Sequence, residues 1–258
     1  MDNLDIYCDL FGTDCRILFL LILGGKTLFD FTQRTELLIG SENINKLSQI
    51  SVLVFGVGGV GSYCVEALAR AGVGKITLFD GDKVNSSNIN RQLIALHSTV
   101  GMYKCEVARQ RILDINPEAQ VEIFNEFYTT ENADCIDFGQ YDYIADAIDM
   151  VSSKLLIIEN AHKADTPVIC AMGAANRLDP TGFKVTDIYK TTDCPLAKVM
   201  RRELRKRNIL KQKVVFSSEP TYKYFNDENK TLGSISFVPS AEGLVMASEI
   251  IKDLIILP

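Results

Sequence analysis

The stretch Ser51 to Ser62, SVLVFGVGGVGS, constrains this chain more than any other. An apolar, β-branched run breaks into glycines at Gly56, Gly58, Gly59 and Gly61, and the helix-forming YCVEALARAG follows. The order is strand, tight turn, helix. Such a junction aims unpaired backbone N–H groups and the positive end of a helix dipole at one point, which suits a phosphate. Gly56 allows the turn, Gly58 lets a phosphate chain approach, and Gly61 lets the helix pack on the strand. Asp80 closes the next strand, KITLFD, and supplies the carboxylate expected about 20 residues on for a ribose hydroxyl. A mononucleotide-binding half follows from this pattern, but NAD and ATP both contain an adenosine and fit it equally well.

The rest of the chain repeats the rhythm. KCEVARQRILDIN reads as a helix stopped at Asn116-Pro117, VEIFNEF as a strand, and TTENADCIDF as a Thr-capped short helix. YDYIADAID reads as a strand ending at Asp149, SSKLLIIENAHKA as a helix and TPVICAMG as a strand. Ahead of the glycine turn, Ser41 is the expected N-cap of a short helix. The alternation through residue 173 predicts an α/β fold, a mainly parallel sheet with helices on both faces. Beyond it come the strand FKVTDIYK, the basic helix PLAKVMRRELRKRNILKQK, the short strand VVFSSEP, a polar loop from Thr221 to Thr231, and an apolar helix opened by a proline.

Composition closes off several classes. With 47% hydrophobic and 23% charged residues over 258 positions, the chain reads as an ordinary soluble globular protein with a sizeable core. A net charge of −6 argues against a surface coated in basic groups, yet leaves room for a local basic patch. The 7 cysteines contain no CxxC pair, which fits a reduced cytoplasmic chain rather than a disulfide framework or a structural zinc site. His97 and His162 have no ligand spacing. The run Ile17 to Leu23, ILFLLIL, falls short of the roughly 20 apolar residues a membrane span needs, and it lacks the flanks of a signal peptide. Residues 1–30 therefore read as an extension outside the domain.

Two segments depart from a plain dinucleotide fold. GDKVNSSNINRQLIALHSTVGMYK carries Asp82, Asn88, Arg91, Gln92 and Lys104 where a short crossover would serve. Its expected place is above the carboxyl ends of the strands, where open α/β sheets hold their ligands. The helix from Pro195 gathers Lys198, Arg201, Arg202, Arg205, Lys206, Arg207, Lys211 and Lys213 against Glu203. A helix so charged can follow a phosphate backbone, or it can be a solvated face.

Read together, GVGGVGS, DGDKVNSSNINRQ, VGMYK and AIDMVSSK resemble the ThiF/MoeB/HesA group, relatives of the ubiquitin-activating enzymes. The D-x-D-x-V-x-x-S-N-x-x-R-Q string is far more specific than the glycine turn. Within that group FTQRTELLIG, VTDIYKT, PLAKVMRRELRKR, VFSSE and GSISFVPSAEGLVMASE are similar to the branch that dehydrates N6-threonylcarbamoyladenosine in tRNA. The similarity runs from about residue 31 to the end. It implies one adenylating domain, 31–258, with a nucleotide-binding half near 50–173 and a substrate- and tRNA-facing part near 174–258. It further implies adenylation of the threonyl carboxylate by ATP with Mg²⁺, optionally a monovalent cation, and ring closure that expels AMP.

By that resemblance the four glycines would lie under the nucleotide and Asp80 would hold the ribose. Asn88, Arg91 and Lys104 would grip the phosphates, with Gln92 beside them. Arg34 would reach the β/γ end, from its own chain or across a dimer. Asp149 would hold Mg²⁺, with Asp82 as a second carboxylate and Lys154 in support. Lys198, Arg201, Arg202, Arg205 and Lys206 would contact tRNA. A homodimer and a sulfur-relay protein are the implied protein partners, with no membrane. The missing zinc pairs weigh against the alternative, activation of a ubiquitin-like sulfur-carrier protein. Cys194 precedes PLAK, where other members carry an acid, so a thioester step has no secure cysteine. An NAD-dependent oxidoreductase, or a nucleotide-binding module without catalysis, would leave Arg91, Lys104 and Asp149 without a role.

Overall fold

The computed structural model describes residues 31–222 and 232–256. The expectations for residues 1–30, and for most of the polar loop to Thr231, lie outside the described residues. Two short helices, α1 (Gln33–Ile39) and α2 (Ser41–Leu47), lead into β1 (Ser51–Phe55). There follow α3 (Gly61–Arg70), β2 (Lys75–Phe79), α4 (Lys104–Ile115), β3 (Gln120–Phe124), β4 (Tyr143–Asp146), α5 (Val151–Lys163) and β5 (Val168–Ala171). The chain continues through β6 (Phe183–Asp187), α6 (Pro195–Lys206), β7 (Lys213–Ser217) and α7 (Phe237–Leu254).

The strands form one seven-stranded sheet in the order β3-β2-β1-β4-β5-β7-β6, parallel except for β6, which runs antiparallel to β7 at the edge. This is the expected α/β architecture with its two C-terminal strands added to one side. One face is covered by α3, α4 and α7, whose Leu68, Ile112 and Met246 join Val52, Val54 and Ile76 in a single core. On the other face α5 and α6 pack Ile157, Ile158, Met200 and Leu204 against Leu53, Ile144 and Val214. Strands buried on both faces read as unbroken apolar runs, which is why VLVF and VICA were recognisable.

Several boundaries differ from the sequence reading, each for a local reason. Gly40, at φ 83°, takes the N-cap position expected of Ser41, because the turn joining α1 to α2 needs a positive φ. The short helix in TTENADCIDF is a pair of 3-10 turns, Ala133–Cys135 and Phe138–Gln140. The Asn132 side chain accepts the Thr129 N–H there and competes with helix formation. The basic helix stops at Lys206, and Asn208 at φ 58° reverses the chain. Lys211 and Lys213 are thus not helical, and Lys213 opens β7. β4 ends at Asp146 rather than Asp149, since the chain leaves the sheet to pass over Gly56.

Candidate active site at the switch point of the sheet

From β1 the chain winds outward through β2 and β3, then returns to place β4 on the other side of β1. Strands either side of this reversal part at their carboxyl ends, and ligands of open α/β sheets bind in that crevice. The glycine turn lies in it. Gly56 has φ 85°, and a Cβ there would stand 2.9 Å from both the Ala147 carbonyl oxygen and Ile148 Cγ2. A Cβ on Gly61 would stand 1.8 Å from the Gly56 oxygen, so that glycine is demanded by the helix lying on the strand. Gly58 is more open: the nearest atom to a Cβ built there is Gln92 Nε2 at 3.7 Å. On Gly59 a Cβ would meet Pro239 of α7 at 3.2 Å and Arg91 Cγ at 3.5 Å.

Asp80 follows β2 and is tied to the turn: its Oδ2 accepts the Val57 N–H at 2.7 Å and its Oδ1 the Asp82 N–H at 2.8 Å. Burial pushes the Asp80 carboxyl above the usual carboxylate range, although Lys104 and both amides pull it down. Lys104 Nζ stands 3.8 Å from Asp80 and 2.6 Å from Asp82. The Lys104 side chain is 7% exposed and that of Asp82 is 53% exposed, so the lysine opens onto solvent through a carboxylate that a phosphate could displace. Arg91 is oriented beforehand, because its Nη1 donates to the Ser87 carbonyl at 3.0 Å and to Asn90 Oδ1 at 2.8 Å. Gln92 is buried, and its Oε1 has no hydrogen-bond partner among the described residues. Asn88 Oδ1 accepts the Asn85 N–H in a capping box that shapes this polar loop.

The remaining sequence candidates divide. Asp149 is exposed, with no hydrogen bond or ion pair among the described residues, and sits two residues past the backbone that covers Gly56. Lys154 is fully buried: it pairs with Asp146 at 2.8 Å and donates to the Ile148 carbonyl at 3.0 Å, supporting the Asp149 turn from beneath. Arg34 is not brought to the glycine turn of its own chain. Thr32 packs at Gly72, just beyond the end of α3, which puts Arg34 roughly 15 Å along a ten-residue helix from that turn.

On α6, Arg201 turns inward to the Thr191 carbonyl at 3.0 Å and to the Thr191 hydroxyl. Arg202 and Lys206 pair with Glu203, and the Arg205 guanidinium stands 5.1 Å over the Tyr189 ring. Lys198 is exposed, with no ion pair among the described residues. Cys194 is the N-cap of α6: its buried thiol donates to the Met172 carbonyl at 3.3 Å and accepts the Ala197 N–H at 3.5 Å.

Sequence reasoning missed three buried groups, Asp146, Arg177 and Glu242. Glu242 left the clearest trace, as the lone acid in the apolar run FVPSAEGLVMA. Asp146 was masked by Asp149, which shares its IADAID context and looked like the end of the strand.

Residues 32–256 match the ThiF family. The chain belongs to the ThiF family. A tRNA threonylcarbamoyladenosine dehydratase of Bacillus subtilis is 44% identical over 238 residues, covering 86% of this chain and 93% of the relative. Among solved structures, E. coli tRNA N6-threonylcarbamoyladenosine dehydratase in complex with AMP superposes with a TM-score of 0.81 at 34% identity, covering 89% of this chain and 97% of that one. The same enzyme in complex with ATP gives a TM-score of 0.80 at 35% identity, with the same coverage. This ThiF-family chain thus shares its fold with an enzyme solved in complex with AMP and with ATP.

Proposed function

We propose that this protein is an ATP-dependent tRNA threonylcarbamoyladenosine dehydratase that adenylates the threonyl carboxylate of the modified nucleoside and closes the ring with release of AMP. The observation that carries this reading is the 44% identity to a protein of that name across 93% of its length. The geometry at the switch point supports it. A carboxylate is a poor electrophile, and joining it to AMP supplies a leaving group. A substrate oxygen attacks the α-phosphorus and pyrophosphate leaves with the electrons of the broken P–O bond. An atom of the carbamoyl group then attacks the acyl carbon and loses its proton, and AMP departs with the former carboxylate oxygen. Both steps gather negative charge, so preorganised cations and N–H donors do most of the work.

In this reading the phosphates lie over Gly58 and Gly59, Arg91 and Lys104 screen them, Asn88 and Gln92 line the approach, and Asp80 receives the ribose. No cluster of three acids, histidines or cysteines that could hold a metal ion by itself is found among the described residues, so a divalent cation there would lean on the phosphates for most of its ligands. Asp80 and Asp82 face Lys104 and Asp146 faces Lys154, whereas Asp149 has no cation beside it among the described residues. Mg²⁺ held by Asp149 would neutralise phosphate charge, and Lys154 would keep that turn in place. A homodimer, in which a partner copy supplies Arg34, suits the position of α1, whose Leu37 and Leu38 are 86% and 81% exposed. Lys198, Arg202, Arg205 and Lys206 on α6 would meet the tRNA, while Arg201 would hold the turn beneath them. A sulfur-relay protein is a further proposed partner. No helix among the described residues is long and apolar enough to cross a membrane. A tRNA substrate is compatible with a cytoplasmic enzyme.

The test is incubation of the purified protein with ATP, Mg²⁺ and tRNA carrying threonylcarbamoyladenosine, followed by mass spectrometry of the nucleosides. Loss of one water with release of AMP and pyrophosphate is expected. An unchanged tRNA beside an adenylated ubiquitin-like carrier protein would overturn the reading.

A further inference from the structure

Glu242 is an acid in the middle of an apolar helix, and its fractional exposure is 0%. Its Oε1 accepts two backbone N–H groups, Met172 at 3.0 Å and Gly173 at 3.2 Å, from the turn that leaves β5 at the carboxyl edge of the sheet; the Met172 N–H is shared with the Val215 carbonyl at 2.9 Å, so the Gly173 amide depends on Glu242 the more. Its Oε2 is buried with no hydrogen-bond partner among the described residues. Burial pushes the carboxyl up to about 7, against the pull of Lys154, the two amides and Arg177. A buried carboxylate is expensive, and here backbone amides satisfy only one of its two oxygens. A group placed at such cost calls for a role in what it joins.

The position of α7 indicates that role. Gly243, the next residue, lies so close to the glycine turn that a Cβ on it would stand 2.2 Å from the Val60 oxygen, and Pro239 of the same helix packs on Gly59. Helix α7 is thus seated directly on the turn that would carry the phosphates. Through Glu242 it grips the opposite wall of the crevice as well. That wall is itself a junction. Gly173 has φ 94°. Three residues on, Asn176 accepts the Tyr222 N–H on its carbonyl at 2.7 Å and the Gly233 N–H on its side chain at 2.7 Å. Asn90, the neighbour that orients Arg91, donates to the Ser234 carbonyl at 3.0 Å. The segment re-entering at 232 is therefore stitched both to the turn held by Glu242 and to the loop of Arg91.

We propose that Glu242 is a positioning residue for the adenylation site proposed above, holding the turn at the carboxyl end of β5 in fixed register with the glycine turn. It touches neither nucleotide nor substrate. It acts through the Met172 and Gly173 amides on one side and through its own helix on the other. The role needs an acceptor oxygen, which glutamine keeps and alanine lacks.

The experiment compares the full-length wild type with Glu242→Gln and Glu242→Ala by AMP release with the modified tRNA, and by hydrogen exchange of the backbone from 172 to 178. Glu242→Gln is expected within threefold of wild type in both. Glu242→Ala is expected to lose at least tenfold in kcat with KM for ATP changed less than threefold, and to exchange the Gly173 amide at least tenfold faster, while the Met172 amide keeps its bond to the Val215 carbonyl. Wild-type kcat in the alanine variant would overturn the proposal, and so would a glutamine variant that falls as far as alanine while its Gly173 amide stays protected. If Glu242→Ala does not fold, Glu242→Gln decides alone: lost protection at the Gly173 amide, with an acceptor still present, overturns it. A wild type that releases no AMP would sink the reaction and leave the exchange arm to judge Glu242 separately.

Discussion

Two buried lysines flank the crevice, and they are built for different work. Lys104 opens α4 with its charge resting on Asp82, whose side chain is 53% exposed. Lys154 lies within α5 with its charge against Asp146, and both side chains are 0% exposed. In the first pair the carboxylate can turn to water and leave the lysine to an incoming phosphate. In the second neither partner has anywhere to go. A cation at a ligand site must be held loosely by something that can be displaced, whereas a cation that supports backbone must be held by something that cannot. The sequence shows two lysines and does not show which of them is sealed.

Breaking the sealed pair should have the largest effect. Lys154→Met leaves Asp146 buried without a counter-charge, and denaturant unfolding is expected to show a loss of about 3–5 kcal/mol. Lys104→Met leaves Asp82 free to hydrate but takes the nearby cation from buried Asp80, whose two amide bonds remain, so stability should fall by less than in Lys154→Met while kcat for AMP release falls about a hundredfold, the scale of one lost charge-stabilising donor. If the two lysines exchange these signatures, the division between them is wrong.

Glu242 sharpens the contrast through pH. Its folded pKa of about 7 lies above the ordinary 4.5, so the folded state holds that proton more tightly than the unfolded one. Its contribution to stability is therefore full below pH 4.5 and is lost as the pH rises through 7, a change of up to roughly 3 kcal/mol. Unfolding free energies of Glu242→Gln should lack this component, and a difference from wild type that stays constant between pH 4.5 and 8 would contradict the assignment.

The smallest effects belong to α6. Charge reversal at Lys198 or Arg205 should weaken tRNA binding about two- to tenfold and lessen its salt dependence, as expected for phosphate contacts. Arg201→Ala should instead lower the melting temperature, because its guanidinium is committed to the turn at Thr191. Salt-independent affinity in the Lys198 and Arg205 variants would return the helix to a solvated face.

Much of this was legible in the chain. The glycine spacing, the apolar strand runs and the alternation of strand and helix lead to a parallel sheet covered on both faces, because period and turn chemistry are local properties. Arg91 and Lys104 could be singled out because polar residues in place of a short crossover are conspicuous, and Asp149 because an acid stood at the apparent end of a strand. Reading eight basic residues from Lys198 to Lys213 as one charged helix was less successful. Helix ends depend on a positive φ at Asn208, and the direction of each side chain depends on neighbours such as Glu159, Tyr189 and Thr191 that sequence does not bring together.

The amino-acid sequence by itself determined the sheet, the glycine cradle and the kind of charge gathered near it, since these follow from side-chain periodicity and from the residues that a tight turn permits. Only the tertiary structure decided which of those charges are available to a ligand. Solvent access is a property of the packed neighbours: the same lysine is open beside an exposed Asp82 and sealed beside a buried Asp146. For the same reason Glu242 is one acid among many in the chain, and becomes a link between two walls of the crevice only when α7 is seated on the glycine turn.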